Sequence, residues 1–210
     1  MTKDIPYSTQ WIEDDDVAAV DRVLKSQWIT QGPKISEFEG KLTKYVGCKY
    51  AVAVSNGTAA LESAYFAAGL KNGDEVISSP LTFAATTNAA LWMGAKPVFA
   101  DINLETGNID PNIVESKISK KTKAIVAVDY AGLPADLKSL KFLAKKYKLV
   151  LIEDAAHSLG ASYQNKMIGS ISDMTTFSFH PVKSITSGEG GAITTNNKKN
   201  YEMLLMFRNH

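Results

Sequence analysis

Short apolar runs alternate with helix-forming segments over most of this 210-residue chain, and this alternation limits the possible fold more than any other feature. Seven runs have the length and apolar character of strands: residues 50–54, 75–79, 96–100, 124–129, 149–153, 174–179 and 192–195. Strands that alternate with helices form largely parallel sheets covered by helices on both faces. The last two runs are joined by a loop too short for a crossover helix, so we expect the final strand to be antiparallel. The sequence therefore predicts an α/β fold with a mostly parallel seven-stranded sheet.

The helical segments are predicted at residues 13–25, 36–46, 58–69, 83–93, 111–119, 137–147 and 200–208. In the first of these, Val17, Val20, Val23 and Leu24 recur at helical spacing. In the second, we expect Ser36 to be the N-cap and Glu39 to complete a capping box.

Composition and charge exclude several classes of protein. The formal net charge of +1 gives no electrostatic basis for binding nucleic acid or an anionic membrane. No apolar run approaches the length that spans a bilayer, and residues 1–7 lack an apolar signal core, so we expect a cytoplasmic protein. Cys48 is the single cysteine, so no intramolecular disulfide can form. His157, His180 and His210 lack the spacing of metal ligands, and we expect no metal site.

Ligands in open α/β sheets bind beyond the carboxyl ends of the strands, so the polar residues there are the candidate site. The turn at residues 55–59, with the sequence SNGTA, leads into a helix N-terminus, where free N–H groups and the helix dipole favour phosphate. An ordinary capped turn explains it equally well, and it matches neither the dinucleotide nor the Walker motif. Phe83 follows the next strand and could lie against a planar ligand or belong to the core.

Ionisable side chains follow two later strands. Asp154 comes directly after an apolar run, where a carboxylate must be paired or hydrogen-bonded. It could pair with a protonated ring nitrogen or cap the segment that follows. His157 could hold Asp154, contact a ligand or be a satisfied, half-buried histidine. Lys183 is either a surface lysine or an amine whose pKa is lowered by desolvation, which favours the neutral form that attacks carbonyl groups.

Together with Ser178 at the end of its strand, these residues match the requirements of pyridoxal phosphate. That cofactor needs a cradle for its phosphate, a ring to stack on, an anion at the pyridinium nitrogen and an amine for its aldehyde.

Several stretches of the sequence resemble the DegT/StrS-type nucleotide-sugar aminotransferases. The similarity rests on SNGTAAL, TFAATTNAAL, PVFADINLETGNID, EDAAHSLGA and FSFHPVKSITSGEGGA, and it extends from Pro6 to His210. With VDYAGLPAD and ASYQNKMIG, the motifs are most similar to those of transaminases in pseudaminic acid biosynthesis, which aminate a UDP-linked 4-keto-6-deoxy-N-acetylhexosamine. The resemblance implies the fold-type I architecture of enzymes that use pyridoxal phosphate, glutamate as the amino donor, and a homodimer.

The resemblance also implies roles for individual residues. Lys183 would join the cofactor's aldehyde, and Asp154 would keep the pyridine nitrogen protonated. His157 would lie near the cofactor's phenolic oxygen or Asp154, and Phe83 would stack on the ring. The residues implied to hold the phosphate are Gly57, Thr58, Ala59 and Ser178. Glu189 would support the loop that carries the lysine. The candidates for the sugar side of the site are Tyr7, Thr30, Tyr130 and Glu189.

Members of this family are considerably longer than 210 residues and continue into a smaller C-terminal domain. We therefore expect residues 1–210 to be the PLP-binding large domain, incomplete at its C-terminal end and without the small domain. Two hypotheses follow: PLP-dependent transamination of a nucleotide-linked 4-keto-6-deoxy sugar, or an inactive chain that binds cofactor or serves only as a structural α/β domain. Relatives that act as dehydratases carry histidine in place of Lys183, so the lysine favours transamination.

Overall fold

A seven-stranded sheet organises the computed structural model, which describes residues 4–6 and 8–209. The strands in the chain are β1 (Tyr50–Val54), β2 (Glu75–Ser78), β3 (Lys96–Phe99), β4 (Thr122–Val128), β5 (Val150–Asp154), β6 (Ser162–Tyr163), β7 (Lys166–Met167), β8 (Met174–Ser178) and β9 (Gly191–Thr195). The sheet order is β1-β9-β8-β5-β4-β2-β3, and β6 pairs separately with β7. Strand β9 is antiparallel to β1 and β8, whereas all other neighbouring pairs in the large sheet are parallel. The predicted sheet and its antiparallel last strand are confirmed.

All seven predicted helices are present, with ends that differ from the prediction by at most three residues. They are α1 (Asp14–Leu24), α2 (Pro33–Val46), α3 (Gly57–Ala67), α4 (Ala85–Trp92), α5 (Pro111–Lys117), α6 (Leu137–Tyr147) and α7 (Lys198–Arg208). The β6–β7 hairpin and a 3-10 turn at Tyr130–Gly132 were not predicted. Among the residues described, no helix has the length and apolar character needed to cross a membrane.

The predicted start of α2 is wrong. The helix begins at Pro33, so Ser36 lies inside it rather than capping it. Proline suits the first helical position because it has no N–H to leave unpaired and its φ is already helical. Glu39 forms no capping box; its carboxylate accepts the N–H of Ala53 at 2.9 Å and pairs with the guanidinium of Arg208. These contacts tie α2 to β1 and α7.

Apolar side chains pack on both faces of the sheet, and successive residues of a strand alternate between them. On one face, Leu151 lies in a cluster with side chains of α2, α5 and α6. On the other, Ile152 lies in a cluster with side chains of α3, α4 and α7. Each fully buried side chain of this size contributes about 1.5–3 kcal/mol to stability. The alternation directs Glu153 to the first face and Asp154 to the second.

Helix α1 differs from the other helices because none of its residues is buried. Of its predicted apolar positions, Val17, Val20 and Leu24 are each 60% exposed, and Val23 is half-buried. The helical spacing of these residues correctly predicted the helix, but the described part of the chain leaves most of its apolar face exposed.

Candidate active site

The N-terminus of α3 forms one wall of the site. Asn56 is its N-cap, and the side-chain oxygen of Asn56 accepts the N–H of Ala59 at 2.8 Å. Among the described residues we find no acceptor for the N–H groups of Gly57 and Thr58. Free N–H groups at a helix start bind anions. Of the three α3 residues among the four predicted to hold the phosphate, Gly57 and Thr58 have a backbone N–H open to a ligand, while the N–H of Ala59 already serves the cap.

Ser178 borders this helix start because β8 ends beside it. A Cβ placed on Gly57 would lie 2.8 Å from Cβ of Ser178, so only glycine allows the two segments to come this close. Strand β9 approaches equally closely, since a Cβ on Gly191 would collide with the carbonyl oxygen of Asn56. This packing places the Ser178 hydroxyl beside the first turn of α3, as predicted for a phosphate site.

Asp154 ends β5 and is only 7% exposed. Its Oδ2 accepts a 2.7 Å hydrogen bond from the hydroxyl of Thr86, and its Oδ1 accepts the N–H of Ala156 at 3.3 Å. Burial raises the pKa of Asp154, while Thr86, Ala156 and the positive charges of Lys183 and His157 lower it. The carboxylate thus lies buried within reach of two cationic groups.

Lys183 lies half-buried in the loop between β8 and β9. Burial lowers the pKa of its amine, and the charge of Asp154 opposes part of this effect. The pKa of His157 is also lowered, first by burial and then by the charge of Lys183. The charges of Lys183 and His157 both act on the pKa of Asp154, so the three predicted catalytic residues lie in one region of the structure.

Phe83 precedes α4 and is 80% exposed, so the alternative that it belongs to the core is wrong. Its neighbour Thr82 is 2.7 Å from Thr86, hydroxyl to hydroxyl. Thr86 uses its single hydroxyl hydrogen for Asp154, so Thr82 must be the donor to Thr86. The exposed ring is thereby connected through two threonines to the buried carboxylate.

The residues predicted for the sugar side are less closely assembled. Thr30 lines an open cleft of about 600 Å³ together with Ser55 and Ala59 of the helix start. Tyr130 is 41% exposed and packs its ring on Gly107, where a Cβ would lie 2.7 Å from Cδ1 of the tyrosine.

Two other predicted residues remain without a defined place in the site. Glu189 is exposed in the loop before β9, and within the described part of the chain its carboxylate makes no hydrogen bond or ion pair. Tyr7 lies outside the described residues.

Sequence reasoning missed Thr82 and Thr86. The only signal was their place at the strand-to-helix junction, Thr82 just before α4 and Thr86 in its first turn. Nothing local indicates that this face meets a strand end 68 residues later.

Known proteins similar in sequence and structure agree with the cofactor inferred for this site. The profile of the DegT/DnrJ/EryC1/StrS aminotransferase family matches residues 10–210. The chain belongs to this family. A curated family relative from Campylobacter jejuni, UDP-4-amino-4,6-dideoxy-N-acetyl-beta-L-altrosamine transaminase, is 44% identical over 209 residues, which make up 98% of this chain and 55% of the relative.

Solved structures similar to this DegT-family chain show the same fold. PseC from Helicobacter pylori, an aminotransferase involved in the biosynthesis of pseudoaminic acid, has a TM-score of 0.94 at 39% identity, covering 99% of this chain and 56% of PseC. The PLP form of Spr1654 from Streptococcus pneumoniae has a TM-score of 0.93 at 33% identity, covering 97% of this chain and 57% of Spr1654. The predicted fold class is confirmed, and pyridoxal phosphate is the cofactor that these neighbours indicate. The chain spans about half the length of the relatives it matches.

The residues present in this DegT-family chain fit that cofactor. A phosphate needs free donors, which Gly57 and Thr58 supply beside the Ser178 hydroxyl. A protonated pyridine nitrogen needs a buried anion, and Asp154 is a carboxylate whose pKa burial has raised, so that a further cationic partner would stabilise its ionised form.

Proposed function

We propose that residues 1–210 form the PLP-binding large domain of a sugar aminotransferase that transfers an amino group from glutamate to a nucleotide-linked 4-keto-6-deoxy sugar. The observation that carries this proposal is a buried carboxylate, Asp154, within electrostatic reach of a half-buried amine, Lys183, in a structure that also has an open helix start at Gly57. The Campylobacter jejuni relative and PseC, each named for a sugar transamination or its pathway, support a UDP-linked N-acetylhexosamine as the acceptor.

Pyridoxal phosphate, when bound, supplies a conjugated ring that accepts the electron pair released at the amino donor's α-carbon. The N–H groups of Gly57 and Thr58 and the hydroxyl of Ser178 would hold its phosphate. The carboxylate of Asp154 would hold a proton on the ring nitrogen, because an anion buried beside a cation favours the charged form of both. The exposed ring of Phe83 would stack on the cofactor's face.

Lys183 has two tasks in this proposal. Its Nζ would hold the cofactor through the aldehyde, and as a free amine it would accept the α-proton of the amino donor. Both tasks require the neutral amine, and burial favours that form by lowering the pKa of Lys183. His157 would help to orient the cofactor, since it lies near both Asp154 and Lys183.

The sugar nucleotide would lie on the open side of the cofactor. Thr30 supports this position because its cleft reaches the helix start that would hold the phosphate. Tyr130 supports it because Asp129, the preceding residue, donates its N–H to the carbonyl of Asp154 at 3.1 Å. Glu189 and Tyr7 complete the proposed substrate side on the strength of the family resemblance alone.

We include a homodimer in the proposal. Helix α4 ends on two exposed apolar side chains, Leu91 at 54% and Trp92 at 61%, which a second copy of the chain could cover. Sedimentation of the protein with and without pyridoxal phosphate would test this part.

The experiment that tests the function compares Lys183→Ala with Lys198→Ala, a matched change at an exposed lysine on α7. We expect the wild type and Lys198→Ala to develop a visible absorbance with pyridoxal phosphate and to retain the cofactor covalently after borohydride reduction. We expect Lys183→Ala to do neither. Covalent retention by Lys183→Ala at the same level as the wild type would contradict the proposal.

A half-reaction with glutamate distinguishes the proposed function from the alternative, which is cofactor binding without turnover. In the proposed enzyme, glutamate converts the bound cofactor to its amine form, which changes the absorbance and releases 2-oxoglutarate. Binding of pyridoxal phosphate without this conversion would select the alternative.

A further inference from the structure

Two carboxyl groups are buried on the side of the sheet opposite Asp154. Glu153 belongs to β5 and Asp129 directly follows β4, and the two are 0% and 1% exposed. Glu153 is the register partner of Ala127 on β4, and Asp129 lies two residues beyond Ala127, so the alternation of the strands puts both side chains on the same face. Two ionised carboxylates on neighbouring strands in a buried place repel strongly, so we expect the pair to hold a proton.

The oxygens of Asp129 are both occupied as acceptors. Its Oδ2 accepts the hydroxyl of Ser158 at 2.5 Å, and its Oδ1 accepts the N–H of Ala135 at 3.0 Å. A proton on either oxygen would compete with one of these donors for the same atom. The hydrogen bonds therefore suit an ionised Asp129.

The two side-chain oxygens of Glu153 differ in the hydrogen bonds that they accept. Its Oε2 accepts the hydroxyls of Ser172 at 3.0 Å and Thr175 at 2.9 Å. Its Oε1 is buried and has no partner among the described residues. A buried oxygen without a partner is destabilising as an acceptor, but it can carry a hydrogen and donate it.

We propose that Glu153 holds the proton on Oε1 and donates it to the Asp129 carboxylate, and that this pair positions the segment carrying Asp154 and His157. Asp129 reaches that segment at two points, since its N–H donates to the carbonyl of Asp154 and its carboxylate accepts from Ser158. The two adjacent acidic residues of β5 would then have opposite protonation states on opposite faces of the sheet. The claim about positioning rests on the proposed function, whereas the claim about the proton does not.

The direction of each pKa shift agrees with this assignment. Burial raises the pKa of Glu153 well above its usual value, and the charge of Asp129 raises it further. Burial also raises the pKa of Asp129, to about 6, although the hydrogen bonds from Ser158, Ala135 and Glu153 oppose this. Asp154 is the other acidic group that acts on Asp129, and it also raises that pKa.

The first test compares two changes in the full chain that remove one carboxylate each. In Glu153→Gln, the side-chain NH₂ group can donate to Asp129 in place of the proposed carboxyl proton. We therefore expect the melting temperature of this variant to stay within about 2 °C of the wild type. Asp129→Asn replaces one acceptor oxygen by an amide NH₂, which must then point at a donor such as the Ser158 hydroxyl or the Ala135 N–H. We therefore expect the melting temperature to fall by about 5–10 °C. If Glu153→Gln lowers the melting temperature as much as Asp129→Asn, the proton assignment is wrong.

Infrared spectroscopy at neutral pH provides a second readout, which remains informative if Asp129→Asn fails to fold. The C=O stretch of a protonated carboxyl group should be present in the wild type and reduced in Glu153→Gln. An unchanged band in Glu153→Gln would overturn the proposal.

The pH dependence of stability gives a readout that simple packing would not change. Because the folded state retains the Glu153 proton, stability should fall as pH rises from the unfolded value near 4.5 towards the raised folded value. This fall should be smaller in Glu153→Gln, and equal slopes in the two proteins would contradict the proposal.

The positioning claim is tested by cofactor affinity. We expect Asp129→Asn to raise the dissociation constant of pyridoxal phosphate about tenfold, and an unchanged constant would overturn this claim. If the wild type does not bind pyridoxal phosphate at all, the proposed function fails, while the melting and infrared results still decide the proton assignment.

Discussion

The hydroxyl of Thr86 on α4 donates a 2.7 Å hydrogen bond to Oδ2 of Asp154, 68 residues later in the chain. It is the strongest of the interactions that oppose the effect of burial on the pKa of this carboxyl group. Thr86→Val keeps the shape of the side chain but removes the donor. We expect the pKa of Asp154 to rise further and pyridoxal phosphate to bind about tenfold more weakly, since hydrogen bonds to charged groups contribute about 1.5–3 kcal/mol.

The measurement is the dissociation constant of pyridoxal phosphate, followed by absorbance. Thr86→Ser is the matched control because it retains the hydroxyl, and it should bind nearly as well as the wild type. Equal binding by the valine and serine variants would show that the hydrogen bond does not act on the cofactor.

The close approach of Gly57 to Ser178 predicts a second effect. Gly57→Ala adds a Cβ at 2.8 Å from Cβ of Ser178, which must push the helix start and β8 apart. We expect a loss of about 1–3 kcal/mol in the free energy of unfolding, together with weaker phosphate binding.

Gly40→Ala is its control, because a Cβ there meets nothing within 4 Å and alanine favours a helix interior. That variant should be more stable by about 0.5–1 kcal/mol. Chemical denaturation of both proteins would check the pair, and a neutral effect of Gly57→Ala would contradict the packing argument.

The lowered pKa of Lys183 predicts how cofactor attachment depends on pH. Only the neutral amine attacks the aldehyde, so the rate of borohydride-trapped attachment should rise with pH and level off above the pKa. Burial lowers this pKa while Asp154 raises it, so Asp154→Asn should shift the profile to lower pH. A shift to higher pH would mean that the carboxylate does not act on this amine.

The ion pair between Glu39 and Arg208 predicts an effect on the stability of the fold. Their side chains are only 13% and 23% exposed, and Glu39 also accepts the N–H of Ala53. Glu39→Ala leaves both partners unsatisfied, and we expect a loss of about 2 kcal/mol. Glu202→Ala removes the exposed pair with Lys198 and should change stability by less than about 0.5 kcal/mol. Equal melting temperatures for the two variants would contradict this ranking.

The strands could be predicted because each is a short apolar run bounded by polar or glycine-rich turns, which is a local property. The start of α2 could not be predicted as reliably, because Ser36 and Pro33 both favour a helix start. In the structure the helix begins at Pro33. The exposed apolar face of α1 shows the same limit, since helical spacing predicts a helix but not what covers it.

The candidate site was predicted at the ends of the strands, and in the structure the charges of His157 and Lys183 act on Asp154 there. What the sequence could not reveal are the contacts that depend on packing between distant segments. The bond from Thr86 to Asp154 and the proposed pairing of Glu153 with Asp129 are of this kind. Each joins residues on separate elements whose register is set by the whole sheet.

Strand β1, at one edge of the sheet, pairs only with β9, whose residues lie about 140 positions later in the chain. During translation β1 therefore leaves the ribosome before residues 191–195 have been synthesised, and its backbone hydrogen bonds to β9 cannot yet form. Contacts between such distant segments form slowly and leave an apolar strand exposed in the meantime. The nascent protein should consequently depend on chaperones until β9 is inserted into the sheet. The N-terminus of α3, which packs against Gly191, should be among the last parts of the molecule to fold.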